Sequence, residues 1–206
     1  MKTKQIIKII FLFCFKKLKF NIINMLIGII GGKRHGKDSI ANYLKLKYNY
    51  ETYAYAKPLK EICKLLFHLS HEQLYGTLKE VVDPRWNTTP RILLQSVGTD
   101  LFREQLSKVI PELNTNNIWI KHFELWYKNN KMNDVVVADV RFEDEIYAIK
   151  SNGGKIIHVI RDLDIVDEHI SEQIHKTYKA DYVISNNGTL ENLYNKVDKM
   201  IEDLSH

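Results

Sequence analysis

Apolar and polar positions along the chain alternate between two rhythms. Short aliphatic and β-branched runs at Leu26–Ile30, 51–56, 135–138, Lys155–Ile160 and 181–185 predict strands. Between them, apolar residues recur three and four apart and predict helices. One runs on from Ile40. A second, over 59–69, sets Leu59, Ile62, Cys63, Leu66 and Phe67 on one face, with Pro58 in its first turn. A third spans 89–103, opened by Thr89-Pro90, with Leu93, Leu94, Val97 and Leu101 inward. Residues 118–130 form a fourth, whose aromatics (Trp119, Phe123, Trp126, Tyr127) read as core. The last carries a stripe of Leu190, Leu193, Tyr194, Val197, Met200, Ile201 and Leu204. The stretch 70–90 is polar and broken by Tyr75-Gly76 and Asp83-Pro84, so a loop or a small helical excursion over the sheet edge is expected there. Strand and helix in alternation mean an α/β domain of three layers around a five-stranded, mainly parallel sheet.

The first strand changes the picture from fold to chemistry. It runs straight into Gly31-x4-Gly36-Lys37, and a helix follows. That order is the context a phosphate-binding P-loop requires. Glycines let consecutive N–H groups turn into one concavity, and the new helix adds its unpaired N–H groups and the positive end of its dipole. Gly31, Gly32, Lys33, Arg34, His35, Gly36, Lys37, Asp38 and Ser39 are therefore the nucleotide-binding candidates, with Lys37 on the β and γ phosphates. Asp38 stands where most P-loops carry a serine or threonine ligand for magnesium, and Ser39 follows it; the sequence leaves the metal to either. A strand-to-helix turn that uses glycine only for its shape is the plainer alternative.

Two further stretches add acids and cations. The run Val135-Val-Val-Ala reads as a central parallel strand and ends in Asp139. Ligands of open α/β sheets sit at the carboxyl ends of strands, where an acid can bind the magnesium sphere or orient a nucleophile; the plainer role is a helix cap. Arg141 would face the same cleft. On the helix over 89–103, Arg91, Gln95, Thr99 and Arg103 recur every four residues as a slowly drifting polar stripe. Such a stripe is either a solvated face or the lining of a cleft in which arginines hold a phosphate and Gln95 reads a base. Asn195-Lys196-Val197-Asp198 matches a guanine-reading motif, but it falls mid-helix with Val197 in the apolar stripe, so it is set aside.

Charge narrows the partners. The net charge of +5 is concentrated in residues 1–24, which hold six lysines and no acid. Without those six, 24 basic residues face 25 acidic ones, a balance of about −1 that does not suit a nucleic-acid polymer. The apolar run in that segment, residues 9–15, is too short to span a bilayer and no small-x-small cleavage site follows it. A basic amphipathic anchor or translation upstream of a start at Met25 would account for it, and the second is favoured. The domains expected are thus a basic, apolar extension over 1–24 outside the fold and a P-loop nucleotide-binding domain over 25–206. Cys14 and Cys63, without metal-ligand spacing, fit a reducing, cytoplasmic setting.

Taken together, Gly-Gly-Lys-Arg-His-Gly-Lys-Asp-Ser at 31–39, Ala-Lys-Pro-Leu-Lys at 56–60, Thr-Pro-Arg-Ile-Leu-Leu-Gln-Ser-Val-Gly-Thr-Asp at 89–100, Asp-Val-Arg-Phe at 139–142 and His-Ile-Ser-Glu at 169–172 resemble the viral-type deoxynucleoside monophosphate kinases. The likeness covers nearly all of 25–206, and even Gly-Lys-Asp-Ser looks like that family's own pattern. Animal phosphomevalonate kinases share the Lys-Arg-x-x-Gly-Lys-Asp loop and Pro-Leu-Lys; the Arg91-to-Gln95 helix and Asp-Val-Arg-Phe favour the nucleotide enzyme. The resemblance implies a P-loop kinase fold and γ-phosphoryl transfer from ATP, with Mg2+, to a deoxynucleoside monophosphate. It implies Lys37, Asp139 and Arg141 as catalytic, Asp38, Ser39 and Asp139 around the metal, and Lys57, Arg91, Gln95, Arg103, Arg141 and Arg161 on the acceptor. Arg34 and Arg161 would reach the transferring group as a lid closes. The setting implied is the cytoplasm, the host's if the protein is viral, with a homodimer left open. A P-loop protein that binds nucleotide without turnover is the alternative of a different class.

Overall fold

A computed structural model describes residues 24–113, 115–163 and 174–205. The expected extension over 1–24 lies, but for its last residue, outside the described residues, as does the His169-to-Glu172 motif.

The chain builds β1 (Leu26–Ile30), α1 (Lys37–Tyr48), β2 (Glu51–Tyr53), α2 (Ala56–Phe67), α3 (His71–Tyr75), a 3-10 turn (Thr77–Glu80), α4 (Pro90–Gln95) and a π-helical continuation (Ser96–Arg103). It goes on through α5 (Leu106–Val109), a second 3-10 turn (Pro111–Leu113), α6 (Ile118–Asn130), β3 (Val135–Val137), α7 (Glu143–Ser151), β4 (Lys155–Ile160), α8 (Ile174–Thr177), β5 (Tyr182–Ser185) and α9 (Leu190–Leu204). The five strands pair in the order β2-β3-β1-β4-β5, every pair parallel. β1 is central, so its loop opens at the crevice where the chain turns from one half of the sheet to the other.

Alternation along β1 makes two cores. Leu26 and Ile30 pack with Val135 and Val137 against α6 and α7, where Trp119, Phe123, Ile146 and Ile149 are buried. Ile27 and Ile29 face the opposite way, with Val136, Ile157 and Val159, onto α1 and α9 through Ile40, Leu44, Leu193, Val197 and Met200. A third, smaller core joins α2, α3 and α4 through Cys63, Leu69, Leu74, Leu94 and Val97, so the expected excursion over 70–90 is a packed helical subdomain. At its far end Asp83 and Thr88 form an isolated antiparallel bridge.

Capping fixes several boundaries. Thr89 accepts from Ile92 N and Asn117 from Trp119 N, while Thr189 forms a capping box with Asn192. Three residues expected inside are exposed: Leu66, Leu101 and Leu190. For Leu101 the cause is the winding. In the π segment each turn takes up an extra residue, so the position after Val97 that reaches the core is Phe102, whose ring lies 5.5 Å from that of Trp119. The β-strand expected over 51–56 stops at Tyr53 because Tyr55 and Ala56 already open α2.

Candidate active site

The loop between β1 and α1 is shaped by torsions that side chains resist. Gly31 has φ 151° and Gly36 φ 104°, and a Cβ on Gly36 would lie 2.5 Å from Asn186 Nδ2. Arg34 also takes a left-handed conformation, φ 64°. His35 N donates to Gly32 O at 3.2 Å, and Asn186 Nδ2 donates to His35 O at 2.8 Å, so the end of β5 braces the loop. No motif in the chain announces Asn186, because its brace depends on β5 lying beside the loop. The Lys37 ammonium donates to Gly31 O and Gly32 O at 2.7 and 2.9 Å. Lys37, Asp38 and Ser39 form the first turn of α1, where backbone N–H groups lack helical partners. A cavity of about 370 Å³ opens there, lined by Arg34, Lys37, Asp38 and Ser39, with Arg161, Asn186 and Leu190 opposite.

A second cavity, about 540 Å³, lies on the other side of Asp38, which lines both. One part of its wall is cationic: Lys57, Lys60, Lys79, Arg91, Arg103 and Arg141. Besides the acids Asp38, Asp139 and Glu145, the rest is neutral and largely apolar, from Leu59, Leu74, Tyr75, Leu94, Gln95, Thr99 and Trp119. The Arg91, Gln95, Thr99, Arg103 stripe thus faces the cleft along its whole length. An α-helix would carry positions four apart around by about 40° per step; the wider π winding after Gln95 turns that drift back. Lys60 and Lys79 were not marked by any periodicity, yet both line the cleft. Burial lowers the Lys60 ammonium, against the pull of Asp139 and Asp38. Burial, then the like charges of Arg91, Lys60 and Arg141, bring Lys79 down to about 8, opposed by Glu80. Cations partly buried side by side in one cleft mark a place built for an anion.

The acids sit at the floor. Asp139 accepts from Tyr55 N and Ala56 N, both at 2.8 Å, and so caps α2, an element 83 residues earlier in the chain. Burial raises its pKa against those donors and against Arg141 and Lys60. Both oxygens border the cleft already engaged, so the helix-cap role is present in the structure. Glu145, buried in the first turn of α7, accepts from Arg141 N at 2.7 Å and from Arg103 Nη2 at 2.5 Å. Burial pushes it up to about 7, while the Arg103 charge and the Arg141 N–H pull the other way.

The arginines separate by what holds them. Arg103 spends both terminal nitrogens on Asp144 and Glu145, and its guanidinium lies 3.6 Å from the centre of the Phe142 ring. Its fork therefore faces the protein, although the residue lines the cleft. Arg91 is bound only through Nε, to Glu80 at 2.5 Å, among the described residues. Arg161 is exposed and borders the P-loop cavity, apart from the cleft cations. Tyr55, which lines the cleft, carries a buried hydroxyl without a hydrogen-bond partner among the described residues.

Magnesium takes oxygen ligands, keeps several waters, and is commonly held by one or two carboxylates together with substrate phosphates. Asp38, on the wall between the cavities, and Ser39 beside it supply hard oxygen donors of that kind. Among the described residues no three His, Cys, Asp or Glu side chains gather into a metal cage.

The sequence pattern of the deoxynucleotide monophosphate kinase family matches residues 25–83 and 73–197. A protein of Acanthamoeba polyphaga mimivirus named for deoxynucleotide monophosphate kinase is 42% identical over 190 residues, covering 88% of this chain and 98% of its own. The deoxynucleotide monophosphate kinase of Escherichia phage RB69 is 33% identical over 132 residues, 62% of this chain and 51% of its own, so the match spans about half of that relative. A dephospho-CoA kinase of Fusobacterium nucleatum is 26% identical over 198 residues, covering 87% of this chain and 98% of its own.

Proposed function

This chain belongs to the deoxynucleotide monophosphate kinase family, and from that premise we propose that it transfers the γ-phosphate of ATP to a deoxynucleoside monophosphate, giving the diphosphate and ADP. One observation carries the reading: two cavities share Asp38 as their common wall. One is framed by the P-loop and the first turn of α1. The other joins a cationic wall to a neutral, partly aromatic one, which is the polarity of a nucleoside monophosphate.

Phosphoryl transfer asks little covalent chemistry of the protein; it asks for alignment and neutralised charge. The loop N–H groups and the start of α1 bind the ATP phosphates, and Lys37 turns from its loop carbonyls to the β and γ oxygens. Asp38 or Ser39 would hold magnesium, with Asp139 contributing to its outer sphere, and the ion would neutralise charge on the phosphate oxygens. Asp139 also fixes the opening of α2 and with it Lys57 and Lys60. Arg91 and Arg141 bind the acceptor phosphate, with Lys60 and Lys79 adding charge. Gln95 faces the acceptor's base. Arg103 acts through Glu145, which holds the Arg141 turn. Arg34 and Arg161 serve the donor phosphates from the P-loop side.

The test is a coupled ADP-release assay across the four deoxynucleoside monophosphates, with ribonucleotides and phosphomevalonate as further arms. Turnover of at least one deoxynucleotide is expected. ADP released only with phosphomevalonate, or with none, would refute the reading. We place the catalytic unit at 25–206: a chain starting at Met25 should melt and turn over like the full one, and loss of either would put the first 24 residues inside the fold. No helix among the described residues is long and apolar enough to cross a membrane. We place the activity in the cytoplasm, where ATP is at hand.

A further inference from the structure

Glu80, at the end of the 3-10 turn beside Lys79, links the phosphate loop to the wall of the second cavity without lining either cavity. One oxygen, Oε1, accepts from Lys33 Nζ at 3.0 Å and from Arg91 Nε at 2.5 Å. Lys33 belongs to the phosphate loop and Arg91 to the first turn of α4, so a single carboxylate oxygen ties the donor loop to the acceptor helix. The two cations hold Glu80 ionised, against the opposing effect of its partial burial.

An acid so near a phosphate site would ordinarily compete with the phosphate for its arginine. The point of attachment argues otherwise. Guanidinium offers Nε–H on one edge and a fork of terminal N–H groups on the other. Glu80 takes Nε, and no described residue bonds either terminal nitrogen of Arg91. Arg103 is the contrast in the same cleft, with both terminal nitrogens on carboxylates. Holding Nε fixes the plane of the ring of donors and leaves its outer edge to the cavity. A guanidinium already in place loses less freedom on meeting phosphate.

We propose that Glu80 is a positioning residue that sets the Arg91 fork for the acceptor phosphate and couples it, through Lys33, to the donor loop. This rests on the kinase reading above, so wild-type turnover of a deoxynucleoside monophosphate is established first. Its absence would count against that reading and not against the role of Glu80.

The experiment measures KM for the acceptor and for ATP in Glu80→Ala, Glu80→Gln, Arg91→Ala and the Glu80→Ala/Arg91→Ala pair. Glu80→Ala should raise the acceptor KM about tenfold, as the loss of one charged hydrogen bond implies. The ATP KM should rise less. The melting temperature should hold, because the Glu80 side chain is half-exposed. Glu80→Gln keeps an oxygen for Nε and should restore most of the loss. In the double variant the two effects on the acceptor should fail to add, because Glu80 acts through Arg91. An acceptor KM unchanged or lowered in Glu80→Ala would overturn the proposal, since it would make the carboxylate bystander or competitor. So would additive effects, or a glutamine variant no better than alanine.

Discussion

The two cavities that meet at Asp38 are made by opposite means. The first is framed by a phosphate loop written in nine consecutive residues, whose shape comes from backbone torsions at Gly31, Arg34 and Gly36. The second draws side chains from α2, the 3-10 turn, α4 with its π extension, and the turn after β3. A contiguous loop of amides works as one unit; an assembly of side chains can lose its parts singly. Substitutions should therefore act as an on–off change in the first cavity and as separable changes in acceptor binding in the second.

Lys37→Ala should show the largest effect, a fall in kcat on the order of 10³-fold, as expected for removing a group that meets transition-state charge. Its melting curve should match wild type, and retained turnover would dissolve the contrast at its strong end. Arg103→Ala should break the pattern in the other cavity by acting on stability. It leaves Glu145 buried without its cation, which costs about 3 kcal/mol and reads directly in urea unfolding. Arg91→Ala and Arg141→Ala should each raise the acceptor KM roughly 10- to 100-fold while ATP binding stays near wild type. Equal effects on both substrates would move these arginines out of the acceptor cleft.

A pH profile gives the smallest and finest test. Lys79 titrates near 8, below the ordinary lysine value, so its positive charge is present under pH 8 and lost above it. The anionic acceptor favours the charged form. Acceptor KM should therefore rise as pH passes upward through 8, by up to tenfold per unit until the liganded lysine discharges. Folding runs the other way: between about 8 and the unfolded lysine value the unfolded chain binds more protons, so stability gains as pH rises. Lys79→Arg should flatten both trends, and a flat wild-type profile would remove Lys79 from the acceptor site.

Much of this was legible in the chain. Leu26–Ile30, Ile118–Asn130 and Leu190–Leu204 appear with the expected bounds or within a residue or two, because strong periodicity and local caps at Asn117 and Thr189 fix them. The phosphate loop needed only its glycines and flanks. Leu101 was misplaced because one extra residue per turn in the π segment brings Phe102 to the core instead. Lys79 and Glu80 had no pattern to announce them, and Lys60 stood only inside the Ala-Lys-Pro-Leu-Lys motif with no role attached. Lone charges along a chain look alike until something packs beside them.

Sequence by itself determined the alternation of strands and helices, the loop torsions that only glycine takes readily, and the family to which these motifs point. Those are short-range matters, set by sterics and by apolar residues seeking one face. Tertiary structure alone decided which charges are spent and which are presented. Arg91 and Arg103 sit on one stripe of one helix, yet the first meets Glu80 by a single nitrogen and the second is clasped by Asp144 and Glu145. The difference lies in partners 11 residues away for one and more than 40 for the other. Electrostatic roles follow distance in space and burial, and neither is written in the order of the residues.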